Sequence, residues 1–280
     1  MMPQIIPLED QLSDVLAKAQ SGLSFGDAEV IKRAGIDMPA FRALKSGILD
    51  ELALAKVGEA LELGVAPLLA LAQERYRPAP IPDIEGLACF NSVFHDMTVN
   101  AFLVWDPSSK EAALFDTGAD GQPMLDFAAP QGLRITQIFI THIHTDHVFD
   151  FDRLLEMTRA QAWVCEREPL DGADSFSPGR VFQIGRLEVE TRLTCGHSAG
   201  GVTYFIKGLA KPVAIVGDSI FAGSMGGGRV SYSDALRNNR EQVLTLPGET
   251  IICPGHGPLT TVGEQKRCNP FFAGITALGS

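Results

Sequence analysis

Positive charge is scarce in this 280-residue chain: 23 Lys and Arg stand against 34 Asp and Glu, a net charge of −11. Phosphate backbones are held by a basic footprint, so this balance argues against a nucleic-acid partner while leaving room for a local basic pocket. Cysteine is sparse: the five present include no Cys-x-x-Cys pair and no disulfide-like spacing. That usage fits a reducing cytoplasm. No apolar run approaches the roughly 18 residues a membrane span requires. Residues 1–14 lack the basic-then-apolar order of a secretory signal. The remaining composition, 45% hydrophobic and 20% charged, is that of an ordinary globular protein. The expected partner is a small molecule, with neither a membrane nor a nucleic acid involved.

Histidine is also rare, yet three of the six histidines fall within His142-Ile143-His144-Thr145-Asp146-His147. The stretch follows a β-branched run, residues 135–140, that reads as a buried strand. The carboxyl end of such a strand is where α/β scaffolds place chemistry. In extended backbone His142, His144 and Asp146 share one side, while His147 needs a turn to rejoin them. Imidazole and carboxylate suit Zn²⁺ and similar divalent ions. Downstream, single polar residues recur at strand ends beside glycines: His197 in Gly196-His197-Ser198, Asp218 in Gly217-Asp218-Ser219, and His256 in Gly255-His256-Gly257. Glycine lets backbone approach an ion or a neighbouring group closely. The recurrence makes all three candidate ligands. The remaining histidine, His95, reads as a surface residue at a strand end.

The first eighty residues carry apolar stripes at three- and four-residue spacing. Leu12, Val15, Leu16 and Ala19 form one, Val30, Ile31 and Ala34 a second, Phe41, Leu44, Ile48 and Leu52 a third, and Val57, Ala60 and Leu61 a fourth. They predict short amphipathic helices punctuated by Gly and Pro. Residues 28–36 and 57–65 loosely resemble a helix-turn-helix, but residues 1–80 hold eight Lys or Arg against eleven Asp or Glu. A DNA reader should be basic, so a module that packs on the catalytic domain, covers its site or forms a homodimer is the better reading. The expected division is a helical domain at 1–77, a Pro-rich linker at 78–83 and a second domain at 84–280. In that second domain, strands are expected at 87–94, 101–105, 112–115, 162–165, 187–193, 202–206, 213–216 and 250–253. Helices are expected at 149–160 and 232–244. Strands with interposed helices imply two sheets carrying helices on their outer faces.

Phe115-Asp116-Thr117-Gly118, Thr141-His142-x-His144-x-Asp146-His147, Gly196-His197-Ser198, Gly217-Asp218-Ser219 and Pro254-Gly255-His256-Gly257 together resemble the metallo-β-lactamase superfamily, in its glyoxalase II-like branch. The likeness spans roughly residues 84–272. It implies an α/β fold, an αββα sandwich with metals at one edge, here preceded by an all-α stretch. It also implies two divalent ions, zinc first, with iron or manganese as alternatives. His142, His144 and His197 would hold one ion, Asp146, His147 and His256 the other, and Asp218 would bridge them. A bridging hydroxide would then attack a thioester or ester, with Asp146 and Asp218 in the catalytic set. Asp116 would orient a ligand imidazole, Asn100 would be structural, and Arg229 and Tyr232 would meet the substrate.

The pattern departs from relatives in places. True β-lactamases carry Cys or Ser where Asp218 stands, and flavodiiron proteins carry Glu where His144 stands. RNA-processing nucleases share the ligand set, but this chain shows no basic arm for RNA. Persulfide dioxygenases share the residues with a single iron, and lactonases and phosphodiesterases belong to the same superfamily. The glutathione-binding residues of glyoxalase II are not matched. A reading outside enzymology is a metal-core sensor with the helical stretch as its recognition head.

Overall fold

Five short helices open the computed structural model, which describes residues 6–274. They are α1 (Leu12–Gly22), α2 (Asp27–Ala34), α3 (Met38–Lys45), α4 (Glu51–Ala60) and α5 (Val65–Ala72). Local chemistry sets their ends. Gly35 closes α2 in the left-handed conformation, while the Asp37 and Asp50 side chains cap α3 and α4 by accepting from the Ala40 and Ala53 amides. The stripe from Phe41 to Leu52 therefore does not form one helix. The chain breaks after Lys45 and restarts at the Asp50 cap, leaving Ile48 66% and Leu52 69% exposed.

Two six-stranded sheets follow. The first runs in sequence order: β1 (Leu87–Phe94), β2 (Met97–Trp105), β3 (Glu111–Phe115), β4 (Arg134–Phe139), β5 (Gln161–Cys165) and β6 (Asp174–Phe176). Strands β1 to β3 pair antiparallel and β3 to β6 parallel. The second holds β7 (Val181–Ile184), β8 (Leu187–Leu193), β9 (Val202–Lys207), β10 (Val213–Gly217), β11 (Ile251–Pro254) and β12 (Thr260–Thr261). In it only β10 and β11 pair parallel. On the outer side of the first sheet lie α6 (Gln122–Ala128), the single turn α7 (Thr145–Val148) and α8 (Phe151–Thr158). On the outer side of the second lie α1 to α5, α9 (Tyr232–Asn238) and α10 (Val262–Cys268). This is the αββα sandwich with helices before it.

Side-chain alternation builds the layers. Val213 and Ile215 point between the sheets, whereas Ala214 and Val216 of the same strand join the core under the helices. Between the sheets Phe115 stacks on Phe139 at 5.0 Å and meets Tyr204 edge-on at 5.3 Å. The buried Tyr204 hydroxyl donates to the Ile140 carbonyl at 2.7 Å, which fixes the chain just after β4. Leu16, Phe41, Leu54 and Leu68 share one apolar cluster with Phe205, Ile252, Val262 and Phe271. The N-terminal helices are thus bonded by burial to the outer face of the second sheet.

Some boundaries differ from the sequence reading. The helix expected at 149–160 begins at Phe151 and leaves Phe149 61% exposed, and the one expected at 232–244 passes into a π-turn at Asn239–Val243. The short strands β6, β7 and β12 were not expected, because two to four residues carry no readable period. Among the described residues no helix is long and apolar enough to cross a membrane. Because the helical core is continuous with the sheet, Leu16→Ala should cost about 2–5 kcal/mol and lower a single unfolding transition in calorimetry. A separate early transition for the helices would contradict a shared core.

Candidate metal centre

The parallel pairing of β3 with β4 sets Phe115 beside Phe139, so the residues that follow each strand meet at the sheet edge. Asp116 there adopts φ +56°, a left-handed conformation that costs a non-glycine residue about 1–3 kcal/mol. Its buried carboxylate repays the strain with three hydrogen bonds, accepting from the Thr141 amide at 2.7 Å, the Thr141 hydroxyl at 2.8 Å and His147 Nδ1 at 2.8 Å. The chain bends at Thr141, is extended at His144 and then turns as α7, which carries Asp146 out of the extended phase expected for it and returns His147 to its neighbours.

Seven side chains converge in two groups: His142, His144, His197 and Asp218, then Asp146, His147 and His256, each with donor atoms within 4.8 Å of one another. His144 Nδ1 lies 3.0 Å from His142 Nε2 and 2.9 Å from His197 Nε2. Asp218 spans the groups. Its Oδ2 is 3.3 Å from His197 Nε2 and 3.4 Å from His256 Nε2, and its Oδ1 is 3.3 Å from His147 Nε2. His256 Nε2 also lies 3.2 Å from Asp146 Oδ2. Gly255 is a point of close approach, since a Cβ there would fall 2.3 Å from Asp218 Oδ1.

Outer hydrogen bonds decide which nitrogen each ring offers. His197 Nδ1 donates to the Gly227 carbonyl at 2.9 Å, His256 Nδ1 to the Thr98 carbonyl at 2.6 Å and His147 Nδ1 to Asp116. Thr141 Oγ1 spends its proton on Asp116, so at 3.0 Å it accepts from His142 Nδ1. Four rings therefore turn Nε2 inward, where it offers a lone pair once any proton on it has left. His147 Nε2 and Asp218 Oδ1 are buried with no hydrogen-bond partner. Converging lone pairs and carboxylates repel unless a cation lies among them, and the donor set is the one Zn²⁺, Fe²⁺ and Mn²⁺ accept. The residues fit a divalent-metal site.

Electrostatics separates the groups. Burial, reinforced by neighbouring imidazoles, holds His142 well below the usual histidine range, and burial also lowers His144 and His197. At His147 and His256 burial acts the same way but is outweighed, by Asp218 and Asp116 at one and by Asp218 and Asp146 at the other. Their pKa values rise to about 10 and about 11. Asp218 is held well below the carboxylate range: burial opposes this, but His256 and His147 prevail.

The surroundings show what the sequence reading left out. Asn100 donates Nδ2 to the Pro254 carbonyl at 2.9 Å and the Gly257 carbonyl at 2.8 Å, pinning the loop that carries His256. The Thr98 and Gly227 carbonyls leave no side-chain signature. A cleft of about 360 Å³ opens on His197, Asp218 and His256, and its lining includes Glu9, Asp10 and Lys18 from the N-terminal stretch as well as Arg229. Tyr232 takes a different place from the one expected. Its ring lies on Gly22 among the helices, outside the cleft lining, because the chain turns into α9 at that point. His95 sits exposed at the β1–β2 turn, outside both donor groups.

Comparison with known proteins agrees with this geometry. The profile described as Metallo-beta-lactamase superfamily matches residues 96–256. The chain is 30% identical over 195 residues to the probable metallo-hydrolase YqgX of Bacillus subtilis, covering 60% of this chain and 90% of that protein. It is 27% identical over 198 residues to the hydroxyacylglutathione hydrolase GloC of Haemophilus influenzae, covering 62% and 92% respectively. The crystal structure of ETHE1 from Myxococcus xanthus superposes with a TM-score of 0.60 at 24% identity, covering 68% of this chain and 86% of that one. The last likeness bears on the fold alone.

Metal entry must displace protons from His147 and His256, which are charged below their raised pKa values, so affinity should rise with pH. Zinc affinity in chelator competition should climb about tenfold per unit for each proton displaced, from pH 6 through pH 9. A plateau above pH 7, the expectation for unperturbed imidazoles, would contradict the assignment.

Proposed function

The chain belongs to the metallo-beta-lactamase superfamily, and from that premise we propose a dinuclear metallohydrolase that cleaves a thioester or ester of a small molecule. The observation that carries the reading is Asp218, whose carboxylate reaches both donor groups: Oδ2 lies between His197 and His256, and Oδ1 faces His147. One such carboxylate between two three-residue sets suits a pair of ions rather than one. The ions, zinc in this reading, would supply a water acidic enough to attack at neutral pH and positive charge for the carbonyl oxygen.

The chain's own residues define the rest. His142, His144 and His197 present lone pairs toward one side of the cleft floor; Asp146, His147 and His256 present theirs toward the other. Asp116 holds His147 in its tautomer through a 2.8 Å hydrogen bond. Asp146, half-buried with its pKa lowered against burial by His256, stays ionised and would accept a proton from the attacking water. Arg229 is exposed at the cleft rim, where it can pair with a substrate carboxylate. The hydroxyacylglutathione hydrolase relative supports the thioester class at the level of the reaction. Glutathione itself finds no assigned residues here.

A panel of thioesters, esters, lactones and phosphodiesters, assayed with Zn²⁺, Mn²⁺ and Fe²⁺, tests the reading: turnover is expected first on thioesters or esters. One iron per chain with oxygen uptake on a thiol persulfide, and no hydrolysis, would overturn it in favour of a dioxygenase. Asp116→Ala should lower activity about 10–100-fold, the usual cost of removing a group that orients a ligand imidazole, while leaving the two-sheet fold intact by circular dichroism. Unchanged activity would remove Asp116 from the account.

A further inference from the structure

The bond that fixes His197 leads away from the site. His197 Nδ1 donates to the Gly227 carbonyl at 2.9 Å, and Gly227 lies in the irregular stretch between β10 and α9. That stretch is pressed onto the donors: a Cβ on Gly226 would fall 1.9 Å from the Asp218 carbonyl oxygen and 2.9 Å from His197 Nδ1. Backbone bonds hold its ends, the Phe221–Ser224 bridge on one side and the Val230 and Ser231 amides donating to the Gly196 carbonyl at 3.0 Å on the other. Its middle is anchored by side chains from distant parts of the chain. Asn269 Nδ2 donates to the Ser224 carbonyl at 2.6 Å. Gln265 Oε1 accepts from the Gly223 amide at 2.9 Å, and two further anchors come from the N-terminal stretch. Lys18 Nζ donates to the Met225 carbonyl at 2.9 Å, lies 5.0 Å from the Phe221 ring centre and pairs with Asp10 Oδ2 at 2.5 Å. Asp10, 7% exposed, also accepts from the Ser224 hydroxyl.

We infer that Lys18 and Asp10 are positioning residues for the metal ligand His197, acting through Ser224, Met225 and the Gly227 carbonyl. The inference rests on the reading that His142, His144 and His197 hold one of two ions. A largely buried ion pair adds little net stability, since desolvation offsets its attraction. The Lys18–Asp10 pair instead spends its remaining hydrogen-bond capacity on two consecutive residues of the loop, two positions before the carbonyl that selects the His197 tautomer. Without that clamp the loop can lift, the Gly227 carbonyl withdraws, and His197 Nε2 is no longer held toward His144. The N-terminal helices are in this account a working part of the hydrolase rather than a separate head.

The test uses the full-length protein, stripped with a chelator and titrated with zinc against a chromophoric competitor, so that two affinities are resolved. Lys18→Met and Asp10→Asn should weaken one zinc site by about tenfold, the low end for groups that act behind a ligand, and leave the other within about twofold. Lys18→Arg should restore most of the loss. Arg33→Met, which breaks the exposed Arg33–Glu29 pair and the contact of Arg33 with the Phe25 ring, both outside the cleft lining, should change neither site. Should Lys18→Met fail to fold, Ser224→Ala removes a single hydroxyl and should show the same one-site weakening. Wild-type affinities in all these variants, or equal weakening at both sites with a lowered melting temperature, would overturn the inference while leaving the metal reading standing. Absence of zinc binding by the wild type would overturn the metal reading itself, and the inference with it.

Discussion

Everything in this structure depends on one electrostatic constraint: imidazoles and carboxylates are gathered, most of them buried, at the floor of a cleft where little solvent can separate them. His147 Nε2 and Asp218 Oδ1 lie buried without a hydrogen bond, and His144 Nδ1 faces two other ring nitrogens at 2.9 and 3.0 Å. A buried polar atom left unpaired costs about 1–3 kcal/mol, so such a cluster persists only where a charge makes up the deficit. Protons on His147 and His256, whose pKa values are raised by Asp218 and its neighbours, can supply it, and a divalent ion would take their place. The sandwich is arranged to sustain that contest at its edge.

How it does so is visible in the groups behind the ligands. Four of the five ligand rings are tied by the far nitrogen: to Asp116 at the end of β3, the Thr98 carbonyl of β2, the Thr141 hydroxyl after β4, and the Gly227 carbonyl of the loop before α9. The first three belong to the first sheet, whose core is locked by the Phe115, Phe139 and Tyr204 rings. Only His197 relies on a loop, and that loop is where the N-terminal helices reach in. The same edge carries backbone strain, with Asp116 held in a left-handed conformation by the hydrogen bonds it accepts.

The family and the architecture were legible because their signals are short-range and chemical. A strand of β-branched residues followed by His-x-His-x-Asp-His, and glycine-flanked polar residues after later strands, survive as patterns in one dimension. The helices were legible from their periods, though the stripe ending at Leu52 misled: an apolar period cannot show that Asp50 caps a new helix and leaves Ile48 and Leu52 in solvent. Tyr232 illustrates a further limit. Its position in sequence after a glycine-rich loop suggested the cleft, yet its ring fills the space over Gly22. The Thr98 and Gly227 carbonyls, and the reach of Lys18 to Met225 across 207 positions, depend on tertiary placement that no local pattern encodes.

The central claim, that Asp218 joins two three-residue donor sets into one dinuclear centre, is tested most directly by counting ions. Native mass spectrometry of the zinc-reconstituted protein should show two zinc ions per chain, and Asp218→Ala should lose at least one of them under identical conditions. A wild-type protein saturating at a single ion, or an Asp218→Ala variant that still holds two, would contradict the account.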